Sequence, residues 1–201
     1  MAFRVLAARY KQTEKTVDLG TFDLVDCSDL QVRAAIELPS SDCSVIFEIE
    51  RNNGTIYQLL PFQLLSLTEY INEKVRLRAI LKGTEKFSPV LFAPVQLIAG
   101  KIHKTATYVT RAFAFGEKAR LTSYIKTFLP GGSSFTLEMQ LDGDSFTPLK
   151  LDETEQLSEP LWTERKFISG NKTAKQARLK LTLTGGPAAR SMVRDFGASI
   201  V

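Results

Sequence analysis

Along much of this 201-residue chain apolar residues recur at every second position. Val45, Phe47 and Ile49 alternate with Glu48 and Glu50; Phe135, Leu137, Met139 and Leu141 alternate with Thr136, Glu138 and Gln140; Leu179, Leu181 and Leu183 alternate with Arg178, Lys180, Thr182 and Thr184. A period of two is that of an extended strand with one face buried. Turn chemistry separates these runs at Asn52-Asn53-Gly54, Gly131-Gly132, Asp142-Gly143-Asp144 and Gly185-Gly186-Pro187, and helical periodicity is scarce. The pattern predicts an all-β antiparallel fold.

The same order of parts occurs twice. Leu38-Pro39-Ser40-Ser41, a strand and Asn52-Asn53-Gly54 match Leu129-Pro130-Gly131-Gly132, a strand and Asp142-Gly143-Asp144, 91 residues on from Pro39 to Pro130 and 90 from Phe47 to Leu137. Val75 to Gly83 matches Ala177 to Gly185 at a spacing of 102. The second copy therefore carries the longer middle connection. These matches predict two tandem antiparallel β-sandwich, jelly-roll-like domains related by internal duplication. Residues 15–100 form the first module and 101–201 the second, with six to eight strands expected in each. Residues 1–14 stand outside the repeat, as an extra edge strand or as an arm that orders on a partner. In that segment Phe3, Arg4, Val5, Leu6, Arg9 and Tyr10 are the candidate partner contacts.

Composition narrows the class. Apolar residues make up 44% and charged residues 24%, the mixture of a globular chain with a real core. The longest apolar run, Pro89 to Ala99, falls short of the roughly 20 residues a membrane helix needs, so no membrane insertion is expected. Arg4 and Arg9 interrupt the apolar opening, which makes a poor secretory leader and implies synthesis in a reducing cytoplasm. Cys27 and Cys43 are then either buried idle thiols or, in an oxidising compartment, a disulfide. The net charge of +4 is uneven: residues 1–100 carry 11 cations and 12 anions, residues 101–201 carry 15 and 10. The extra cations are spread over strand faces and turns, the pattern of a solvated surface rather than a nucleic-acid groove.

Candidate chemistry is sparse. One histidine, His103, leaves little material for a multi-histidine metal site or a Ser-His or Cys-His nucleophile, and neither a phosphate-binding glycine loop nor a dinucleotide fingerprint occurs. Glu48 and Glu50 read as the outer face of a strand, and Asp152, Glu153 and Glu155 as a loop. Asp142 and Asp144 form either a plain hairpin turn or a hard-oxygen turn able to hold Ca²⁺. Trp162 opens a strand and is either core packing or a stacking platform for a sugar ring. No enzyme activity and no cofactor are expected.

The segments Tyr108 to Phe113, Phe128-Leu129-Pro130-Gly131-Gly132-Ser133, Leu161 to Arg165 and Ala177 to Arg194 resemble the β-sandwich modules of tailed-bacteriophage virion proteins, particularly tail, baseplate and fibre-attachment components. The resemblance implies a passive, multi-copy building block of a virion, assembled in the host cytoplasm and contacting other virion proteins, as a homo-oligomer or in a larger assembly. It fixes no functional residue. The alternatives are a carbohydrate-binding surface module, with Trp162 on a host glycan, and a capsid decoration or head-tail joining protein.

Overall fold

In a computed structural model, which describes residues 9–201, the chain is all-β and its strands form three antiparallel sheets. It divides into two compact units, one ending at Ile102 and the other running from His103 to Val201.

The first unit has five strands: β1 (Glu14–Glu37), β2 (Ser44–Glu50), β3 (Ile56–Leu59), β4 (Leu64–Lys82) and β5 (Val90–Gly100), in the sheet order β3-β2-β4-β1-β5. Two of them are unusually long. β1 pairs through Glu14–Leu24 with the second half of β4 and through Asp29–Gln31 with its first residues; between these stretches the register shifts at Leu24, Cys27 and Asp29. A bulge bends a strand and sharpens its twist. The single sheet thus gathers Leu30, Val32 and Ala34 from beyond the bulge into one buried cluster with Phe47, Ile49 and Leu77. Phe47 and Ile49 have no solvent exposure.

The second unit spreads similar work over nine strands. One sheet has the order β10-β9-β13-β6 with β7 also on β13, and the other β11-β12-β8-β14. Here β6 is Thr105–Val109, β7 Phe113–Ala119, β8 Leu121–Phe128, β9 Ser134–Leu141, β10 Thr147–Pro148, β11 Lys150–Gln156, β12 Trp162–Ile168, β13 Lys172–Thr184 and β14 Met192–Ile200. Leu137, Met139, Leu179 and Leu181 of one sheet share a buried cluster with Leu121, Ile125 and Phe167 of the other.

The strand count corrects the expectation of six to eight per unit. Where β1 and β4 run on through their bends, the second unit breaks into β6, β7 and β8 and into β12 and β13. Asp152, Glu153 and Glu155 lie in the edge strand β11 rather than in a loop. They escape a period-two reading because all seven residues of β11 are exposed and no apolar face marks it.

Pairing registers agree at the spacings seen in the sequence. Phe22 faces Val75 as Phe113 faces Ala177, and Ile49 faces Leu77 as Met139 faces Leu179. Glu48 faces Gln58 as Glu138 faces Pro148. Leu30 faces Ala99 as Leu121 faces Ile200, and each closing strand shifts register against its partner, at Arg33/Ala35 and at Arg194/Gly197. Gly83 and Gly185 hold matching places after the long basic strands. A Cβ on Gly83 would lie 2.5 Å from the carbonyl oxygen of Phe87, and Gly185 has no room for one against the Ala189 carbonyl.

Candidate interaction surfaces

Most charged side chains on the outer sheet faces are tied across strands. In the first unit Arg78 reaches Glu50 at 3.1 Å and Glu48 at 3.5 Å, while Arg76 holds Asp18 at 2.5 Å. That guanidinium holds the Asp18 carboxyl below its ordinary range. Arg51, with a side chain only 12% exposed, bridges Glu73 and, at 2.6 Å, Glu69, so the β2–β3 hairpin is pinned to β4. The hydrogen bonds it donates to these two carboxylates, Glu69 foremost, raise the Arg51 pKa and hold it charged.

In the second unit the outer face of β11-β12-β8-β14 is likewise tied: Lys166 to Asp152 at 2.9 Å, Lys126 to Asp195 at 2.8 Å and Arg194 to Glu159 at 2.8 Å. Each cation lowers the pKa of its carboxylate through that hydrogen bond. Exposed pairs of this kind add little stability singly, but they leave the face electrically satisfied.

Trp162 lies within this network. The Arg194 guanidinium sits 4.2 Å from the indole centroid, and the Phe128 ring is tilted against the indole at 5.8 Å. The indole is half-buried, and a sugar ring would have to displace Arg194 to stack on the face it covers. Asp142 accepts backbone N–H bonds from Lys175 and Gln176 at 2.9 to 3.2 Å, so its carboxylate supports β13. Among the described residues no cluster of three His, Cys, Asp or Glu is placed to hold a metal ion.

Of the expected partner contacts, Phe3, Arg4, Val5 and Leu6 lie outside the described residues. Arg9 pairs with Glu85 at 2.7 Å, and Tyr10, 42% exposed, donates its backbone N–H to the Glu85 carbonyl. Cys27 and Cys43 are free and buried, and burial pushes the Cys27 thiol pKa up. His103 is exposed, between Ile102, whose N–H bonds Ser28 Oγ, and Lys104, whose carbonyl accepts from Gly185.

Two surfaces escaped the sequence reading. One is a groove of about 410 Å³ beside the edge strands β6 and β14, lined mainly by Tyr108, Leu181, Leu183, Val193 and Phe196. The other is the outer face of β4, β1 and β5, where Leu64, Val90, Phe92 and Ile98 are exposed. In the sequence such residues look like core, because an apolar run does not say which of its members face outward. No protein-family model, curated protein or solved structure matches the chain.

Proposed function

We propose that this chain is a non-enzymatic structural protein of a tailed-phage virion, a tail, baseplate or fibre-attachment component that works through protein–protein contacts. In this reading its two units are duplicated β-sandwiches, made in the host cytoplasm and placed in the particle in many copies. The observation that carries the architectural part is the repetition of one pairing scheme at fixed spacings in both units. A repeated scaffold most of whose outer charges are spent on ion pairs within each unit suits a load-sharing role, in which specificity lies in exposed faces and edges. The assignment to a phage particle rests on the sequence resemblance.

Purified virions decide the matter. Immunogold labelling against this chain is expected to mark the tail or baseplate, and absence of the chain from purified particles would end the reading. Labelling confined to the head would favour a decoration or joining role.

A further inference from the structure

We propose that the outer face of β4, β1 and β5 in the first unit is a self-complementary interface on which a second copy of this chain docks about a two-fold axis. Side chains alternate along β1, with Leu30, Val32 and Ala34 buried and Arg33, Ala35 and Glu37 exposed on the opposite face. Register places Phe92 beside Ala35, Val90 beside Glu37, and Ile98 beside Gln31, which Leu64 flanks from β4. Phe92 is 45% and Leu64 59% exposed. The result is an apolar patch rimmed by polar groups, the composition of a contact surface.

The charges say what covers it. Arg33 bonds only the Gln31 side-chain oxygen, and neither Arg33 nor Glu37 has an ion-pair partner among the described residues. They lie on one face four residues apart, roughly 13 Å along the strand at about 3.3 Å per residue. A two-fold axis perpendicular to β1, through the row of Ala35 and Phe92, turns the face onto a copy of itself. It sets Arg33 against Glu37 of the other copy, twice, and brings the two Phe92 rings together on the axis. Isologous interfaces require this self-matching, and the patch has one unpaired charge of each sign.

The matching face of the second unit lacks these features. There Tyr124, Lys126 and Phe128 stand where Arg33, Ala35 and Glu37 do, Arg194 stands in place of Phe92, and the charges are already paired within the unit. Three strands make a small interface, so the isolated dimer belongs among the weak ones, with a dissociation constant on the order of 10 to 100 μM. Many copies in one particle would strengthen it through multivalency.

Sedimentation equilibrium of the full chain from about 1 to 200 μM tests the proposal. A reversible monomer–dimer equilibrium is expected. Arg33→Glu and Glu37→Arg should each weaken it at least tenfold, because each sets like charges face to face, and combining them should return it to within about threefold of the native value. Phe92→Ser should weaken it at least tenfold without touching a charge. Unchanged circular-dichroism melts keep these surface variants interpretable; if a reversal disturbs folding, Arg33→Gln takes its place with a smaller loss. A chain monomeric throughout, a dimer indifferent to the single reversals, or a double variant that stays monomeric would overturn the proposal. The proposal rests on the assembly reading by naming one partner. A monomer found in purified virions would end it and leave that reading standing, whereas a dimer absent from virions would do the reverse.

Discussion

The two units hold buried side chains at matching places but differ sharply along one stretch of outer face. Leu30 and Leu121, Leu77 and Leu179, and Leu59 and Leu149 hold matching buried places, with Leu30 and Leu121 fully excluded from solvent. On the outer face the same alignment sets Phe92 against Arg194 and Arg33 against Tyr124. Close packing demands apolar volume at most core positions even where the residue itself changes, as from Phe47 to Leu137 and from Ile49 to Met139, while solvated positions drift freely or serve a contact. The buried places thus follow one pairing scheme in both units, while this stretch of outer face is apolar in the first unit and charged and internally paired in the second.

The sharpest way to break this comparison is to empty matching core sites. Phe47→Ala should cost about 3–5 kcal/mol and its counterpart Leu137→Ala about 2–5 kcal/mol, measured by denaturant unfolding; a loss under 1 kcal/mol at either would show that the site collapses or is not core. Next come the crowded glycines. Gly83→Ala and Gly185→Ala are each expected to lose about 1–3 kcal/mol through backbone displacement, and a tolerated alanine at only one of them would mark a real difference between the turns.

A smaller effect belongs to the end of the β2 strand. Arg51 matches Leu141, which packs against the second core, so the units use an ion pair and a hydrocarbon for one position. Arg51→Leu should cost about 1–2 kcal/mol by leaving the Glu73 carboxylate unpaired, and adding Glu73→Gln should recover most of it.

The smallest effect is the dependence on acid. Asp152, Glu159 and Asp195, all in the second unit, have lowered pKa values, so their pairs contribute above the ordinary carboxylate range and are lost as pH falls through the depressed values. Asp18 does the same in the first unit. Thermal melts of the native chain should therefore fall from neutral pH into the acid range more steeply than those of a variant carrying Asp152→Asn, Glu159→Gln and Asp195→Asn. Equal slopes would show that these pairs do not persist in solution.

Much of this architecture is legible in the sequence where one face of a strand is wet and the other dry. The strands holding Val45–Ile49, Phe135–Leu141 and Leu179–Leu183 announce themselves in this way, and the spacings of the matching turns are also those at which the pairing registers of the two units agree. Legibility fails where both faces carry one character. β11 is exposed throughout and reads as a loop, while the apolar run from Val90 to Ala99 carries no alternation to show that Val90, Phe92 and Ile98 are open to solvent. Ion pairs such as Arg194 with Glu159 join residues distant in the chain, so the cover over Trp162 has no local signal.

The placement of the two thiols gives the molecule an internal clock. Cys27 and Cys43 are both sequestered in the first unit, and the second contains no cysteine at all. A thiol must reach solvent as thiolate before an alkylating reagent can capture it. The labelling rate under native conditions therefore times the transient opening of one half of the chain while the other half stays silent.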